Sequence, residues 1–318
     1  MAKPQPTRVT VRRRTLDITW CAEHDGILLD RDDSASPWLL LPAEVRRAFD
    51  RITARGAPLA DAPLGRATLG VKCGCNDAFV VQAVGERAGV VEVECQGRTG
   101  EVERDRVRPL LRGDAVSPWC IAPSNSAIIW THEAGRPLRA LPPLAARWLA
   151  PWRRQLLNRT DLRGNGAWWT LFRTEAADHS RPRVVWSDFG RTPRAALLPA
   201  GDPTVPLNSC YVIPCDDIID ALALTTLLNT PIASAFLNTI AEPARGGWHR
   251  YLAWTVALLP IPQDWQHARS VLAPVAERAL EGSIPSREEL FTTACRAYQL
   301  RKCDIAPLIA WSQSQPND

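Results

Sequence analysis

Two short apolar runs constrain this chain more than any other feature. Val184-Val185-Trp186 and Cys210-Tyr211-Val212-Ile213 are β-branched and aromatic, and a Pro- and Gly-containing connection separates them. Runs of that length and composition, bounded by turn residues, predict neighbouring strands of a buried sheet. Around them stand Arg181, Arg183, Arg191 and Asn208. Guanidinium and carboxamide groups hydrogen-bond to phosphates and base edges, so the rim of this sheet is a candidate surface for reading a polyanion.

The flanking segments predict a mixed α and β fold. Residues 1–14, with the basic triplet Arg12 to Arg14, read as a flexible arm, and Leu16 to Trp20 and Ile27 to Leu29 read as short strands. Pro42 to Arg55 reads as a helix with Val45, Phe49 and Ile52 on one face. Residues 65–81 (GRATLGVKCGCNDAFVV) read as strand, Gly-Cys turn and second strand, the simplest form being a hairpin. Strands are expected at Val90 to Glu94, Val102 to Leu111 and Ile128 to Thr131. Leu144, Trp148, Trp152 and Leu156 recur every four residues along a helix opened by Pro142-Pro143. The pair Trp168-Trp169 reads as core more readily than as a stacking platform, although Arg173 close by keeps base contact open.

Further on, Asp216-Asp217 is a natural cap for a helix through Asn229, and a second helix follows Pro231 to about Ala241. Residues 242–262 are expected to open with an Arg-Gly-Gly loop and continue as a strand that stops at two prolines. Residues 263–318 are expected to be mostly helical, with a capping box at Ser286 to Glu289.

Charge decides which functions deserve weight. The net charge is only +4, but from Arg136 to Ala200 there are twelve arginines against four acids, a local balance of +8. That is an electrostatic footprint for nucleic acid, with solvated helix arginines as the plain alternative. The nine cysteines are scattered and the five histidines are unpaired at ligand spacing, so no metal site is expected and the thiols are expected to be reduced. No run of about 18 apolar residues appears and the N-terminus is polar, so no membrane association is expected and the location is expected to be cytoplasmic. There is no Walker loop, GxSxG elbow, HExxH, Gly-rich dinucleotide turn or Asn-Pro-Pro-aromatic string, so no self-contained active site, and no catalytic residue, is expected in this chain.

The order of motifs resembles the C-terminal target-recognition (TaqI-like specificity) domain of N6-adenine DNA methyltransferases and of fused type IIG restriction-modification enzymes. The resemblance rests on LGVKCGCNDAFVV, RPLLRGDAVSPW, LPPLAARWLAPWRRQLLNRTD, WWTLFR, PRVVWSDFGR, VPLNSCYVI, ALTTLLNTPIASAFLNTIAEPARGG and VALLPIP, in that order across about residues 60–265. It implies an α+β protein: a mixed β-sheet recognition core at 61–262 with flanking helices, an N-terminal extension at 15–60 and the helical region at 263–318. It implies contacts with duplex DNA from Lys72, Asn76, Arg112, Arg159, Arg173, Arg183, Arg191 and Asn208, to which the reading of the sheet rim adds Arg181, with Asn208 and Asp161 equally suited to bracing loops. A catalytic methyltransferase chain would be the partner and would carry S-adenosylmethionine, this chain holding no cofactor of its own. The family's methyltransferase domain belongs on the N-terminal side of such a region. The expected role is therefore the specificity part of a split or truncated enzyme in restriction-modification or phage defence. The alternative is an interaction protein that keeps the fold without reading DNA.

Overall fold

The strand Arg183–Ser187 is the spine of the molecule, a computed structural model that describes residues 7–12, 18–24, 28–29, 35–162 and 166–314. It pairs antiparallel with Cys210–Pro214 on one side and Ala195–Leu198 on the other, and Thr68–Leu69 completes a four-stranded sheet beyond Cys210–Pro214. All five residues of the spine are buried. Its side chains alternate between two apolar clusters, as the period of a strand requires. Val184 and Trp186 enter a cluster of helices, and Val185 enters a cluster shared with a second sheet. Both faces are covered, which is why the run is continuously apolar instead of alternating with polar residues.

The second sheet has six strands in the order Val205–Pro206, Val107–Leu111, Ser126–Ile129, Val80–Arg87, Val90–Cys95 and Arg98–Glu103. Only the pairing of Val205–Pro206 with Val107–Leu111 is parallel. The helical cluster joins Ala43–Thr53, Ile218–Leu228 and Pro231–Ile240 with the C-terminal helices Trp265–Leu280, Arg287–Ala297 and Lys302–Ser314. The molecule is thus α+β, with helices on one face of the central sheet and a mixed sheet on the other.

Several expected boundaries hold for local reasons. Asp217 accepts from the Ile219 amide, Thr230 caps the helix Pro231–Ile240, and Ser286 accepts from the Glu289 amide. The helix Ile218–Leu228 is apolar all round, and eight of its residues are buried. Among the described residues no single helix is long and apolar enough to cross a membrane. Ile218–Leu228 and Pro231–Ile240 together have the length and composition, but they meet at a bend of 66° and lie in the core.

Other expectations give way. Thr7–Arg12, read as part of a flexible arm, is a strand paired with Ile18–His24, consistent with its Thr-Arg-Val-Thr-Val-Arg alternation. Leu16, Ile27, and Arg13 and Arg14 of the triplet lie outside the described residues. Residues 65–81 do not form a hairpin. Thr68–Leu69 pairs with Tyr211 and Val212, whereas Val80–Arg87 belongs to the six-stranded sheet, and Asn76–Phe79 between them is one helical turn. The helix from Pro143 breaks into Pro143–Leu149 and Arg153–Leu157, because Pro151 cannot supply an amide to the helical ladder. Finally, the strand expected after the Arg-Gly-Gly loop is interrupted: Trp248–Arg250 and Pro260–Pro262 are extended, the latter against Gly56–Pro58, and Ala253–Ala257 between them is a helix.

One buried group ties stability to pH. His132 is 3% exposed, and burial lowers its pKa from 6.5 to about 4. The folded state therefore prefers neutral His132, while the unfolded chain protonates it below about pH 6.5. Stability is complete above that pH and is lost as pH falls towards 4, by about 3 kcal/mol in all at 1.36 kcal/mol per unit. Urea midpoints across this range should fall more steeply for the wild type than for His132→Gln.

Candidate nucleic-acid interface

Four motif-bearing segments meet at the turn Leu207 to Cys210, and a fifth joins them through Lys72. The Cys210 amide donates to the Leu207 carbonyl at 2.8 Å, closing the turn. The Gly70 amide donates to the Cys210 carbonyl, and the Val71 amide to that of Pro206. Leu207 donates to Leu111, and the Gly113 amide donates to Ser209 Oγ at 2.9 Å. From the fourth side, the Asp188 amide donates to the Ser209 carbonyl at 3.1 Å. Lys72 and Phe172 exchange both backbone hydrogen bonds at 2.9 Å, which brings in the Trp-Trp segment.

Glycine makes this crossing possible. A Cβ on Gly70 would stand 2.1 Å from the Leu207 carbonyl oxygen, and one on Gly113 would stand 2.3 Å from that of Ser209. Two backbones approach at these points more closely than any side chain permits.

The convergence leaves a set of exposed polar side chains around the turn. Asn208 is exposed at its tip. Lys72 is 48% exposed and pairs with Asp161 at 3.0 Å, lowering the pKa of that carboxyl. Arg173 is exposed and holds a left-handed backbone, φ 59°, at the start of the turn Thr174–Ala177. Such a backbone costs a non-glycine residue roughly 1 kcal/mol or more and is found disproportionately at functional sites. Arg112 is 52% exposed beside Gly113, 3.9 Å from the Asp114 carboxylate. Asn76 is exposed two positions after Gly74.

Other expected contacts are drawn into the fold. Arg183 has 0% exposure and donates to the carbonyls of Ala176, Thr204 and Asp202, the last at 2.7 Å. It shares the inward side of its strand with Val185, so it braces the structure and cannot reach DNA. Burial lowers its pKa, as it does for the neighbouring Arg108, which falls to about 10. Arg108 donates to the Pro203 and Ala177 carbonyls and lies 4.5 Å from the Trp130 ring centre. Arg159 is spent similarly on the carbonyls of Cys73, Trp168 and Leu156, with its stem packed against Gly74.

Arg181 is paired with Asp216 at 2.5 Å. It precedes the Arg183 end of the spine, whereas Asn208 and Arg112 gather at the Ser187 end. The arginines between 136 and 194 therefore do not act together: some are exposed, and Arg159 and Arg183 are structural. Trp168 and Trp169 meet edge-on at 5.4 Å, half-buried against the second core cluster.

Beyond Asp188 the surface continues into a small sheet whose role the sequence did not reveal. Phe189–Gly190 pairs with Trp248–Arg250, which pairs with Glu242–Ala244. The Tyr251 amide donates to the Asp188 carbonyl at 2.8 Å, fixing this sheet to the convergence. Arg191 is exposed directly after its first strand, and its carbonyl accepts from Asn238. Trp248–Arg250 is extended as the strand expected after the Arg-Gly-Gly loop, whereas its partner Glu242–Ala244, ahead of that loop and containing Pro243, carries no strand signal in its composition.

The thiols contribute no reactive group at the crossing. All nine cysteines are free, and burial pushes the Cys73 thiol up to about 12. Among the described residues no group of three or more His, Cys, Asp or Glu side chains is placed to hold a metal ion.

No protein-family profile matches the chain, and no curated protein matches it. Solved structures similar to it include two restriction enzymes. One is the type IIL restriction-modification enzyme MmeI in complex with DNA, with TM-score 0.48 and 11% identity over 82% of this chain and 34% of that one. The other is the type IIG restriction endonuclease BpuSI, with TM-score 0.46 and 11% identity over 86% of this chain and 34% of that one. The chain spans about a third of the length of each enzyme.

Proposed function

We propose that this chain reads duplex DNA as the specificity part of an N6-adenine DNA methyltransferase whose catalytic site lies on another chain, in restriction-modification or phage defence. The observation that carries the reading is the convergence at Leu207 to Cys210. Segments that resemble a target-recognition domain, far apart in sequence, meet there and leave Lys72, Arg112, Arg173 and Asn208 exposed around one turn.

Division of labour follows from side-chain chemistry. Lys72, Arg112, Arg173 and Arg191 suit phosphate contacts, which set register and orientation. Asn208 and Asn76 suit base edges, since a carboxamide can donate to N7 and accept from the N6 amino group of adenine. Methyl transfer and S-adenosylmethionine belong to the partner, which would extrude the target adenine. The reading makes the protein cytoplasmic, where the DNA and the partner are.

Electrophoretic shifts at low salt test it. The protein is expected to bind mixed-sequence duplex and to prefer it to heparin at equal charge, because a recognition surface matches the spacing of duplex phosphates. Heparin competing as well as duplex, with any candidate catalytic partner present, would contradict the proposal.

A further inference from the structure

The small sheet beside the convergence has two unlike faces. Residues directly opposite each other in an antiparallel pair point the same way, and so do residues two apart. Phe189 lies opposite Arg250, Arg250 opposite Glu242, and Trp248 opposite Ala244. Phe189, Trp248, Arg250 and Glu242 therefore share one face. His249 and Gly190 share the other, where the His249 ring lies 6.3 Å from that of buried Tyr251 and its Nδ1 is enclosed.

On the first face Phe189 and Trp248 stack with ring centres 4.9 Å apart and planes 20° from parallel. Phe189 is 38% exposed and Trp248 is half-buried, so the stacked pair is in reach of solvent. The surroundings are basic. Arg250 is on the same face, Arg245 stands in the turn that joins the two strands, and Arg191 follows Phe189 by two residues, all three exposed. Glu242 and half-buried Asp188 are the nearby acids, and burial raises the pKa of Asp188 while Arg250 opposes that rise.

The geometry points to this face as a stacking platform for an unpaired base of DNA, the base adding a third layer to the Phe189–Trp248 stack and Arg191, Arg245 and Arg250 taking the flanking phosphates. A flat aromatic pair beside guanidinium groups complements a nucleotide, whose base is flat and apolar and whose phosphate is anionic. The position fits as well, because Asp188 joins the platform directly to the turn that carries Asn208. This inference rests on the proposed DNA reading and adds to it a contact that fully paired DNA does not use.

The test is fluorescence titration with a short mixed-sequence duplex carrying one bulged 2-aminopurine, against the same duplex fully paired. The wild type is expected to bind the bulged form at least about fivefold more tightly and to quench the probe, the lower end of the range for one base on an aromatic side chain. Phe189→Leu and Trp248→Leu, which fill the space without a flat ring, are expected to abolish the preference while leaving paired-duplex affinity within about twofold. Phe189→Tyr should keep it. Paired-duplex binding without any preference for the bulge overturns this inference alone. Preference surviving in both leucine variants also overturns it, and absence of binding to either duplex overturns it together with the DNA reading.

Discussion

Arg183→Ala is expected to destabilise the protein by about 3–5 kcal/mol, read as a lowered urea midpoint with little change in slope. The side chain is fully buried, and its guanidinium serves three backbone carbonyls from two separate segments, Ala176 on one side and Asp202 and Thr204 on the other. Truncation leaves those carbonyls without a donor at about 1–3 kcal/mol each, partly offset by relaxation and water entry, and also leaves a cavity. Arg183→Lys should recover only part of the loss, because an ammonium group cannot reproduce the planar fork. A charge reversal here would unfold the protein before it could report on DNA. The same change at Arg112 or Arg173 should leave the midpoint within about 0.5 kcal/mol, as exposed positions do.

Gly70→Ala is expected to cost about 3 kcal/mol or more in the same assay, at the upper end for forced overpacking. The added methyl would meet the Leu207 carbonyl carbon at 2.5 Å and the Pro206 carbonyl oxygen at 2.7 Å, as well as the Leu207 oxygen. All three are backbone atoms, so no rotamer change relieves the clash. The turn must move, and the bonds from Gly70 to Cys210 and from Val71 to Pro206 are lost or lengthened. DNA affinity should fall further than stability alone explains, since Asn208 sits on the displaced turn.

The sequence disclosed the central sheet because local composition suffices for it. Val184, Trp186, Val212 and Ile213 are apolar in a setting of turn residues, and they lie in the cores that composition predicts. Caps at Asp217 and Ser286 were legible for the same reason, since a capping side chain bonds within three residues of itself. Arg183 was not legible. An arginine at a strand end reads as rim, and what buries it are carbonyls at positions 176, 202 and 204, whose meeting only the tertiary fold decides. Arg159 misled similarly through Cys73, 86 residues away. The candidate site itself was legible as residue types at Lys72, Arg112, Arg173 and Asn208. Its location, at the Ser187 end of the spine and not the Arg181 end, depended on strand direction.

Duplex affinity as a function of salt tests the central claim most directly. With phosphates held by Lys72, Arg112, Arg173 and Arg191, log affinity should fall linearly with log salt at a slope of about −3 to −4, roughly a hundredfold between about 50 and 200 mM. The triple variant Lys72→Gln, Arg112→Gln, Arg173→Gln should retain the fold and reduce the slope to about −1. Duplex binding whose salt slope is the same in the triple variant as in the wild type would contradict the account.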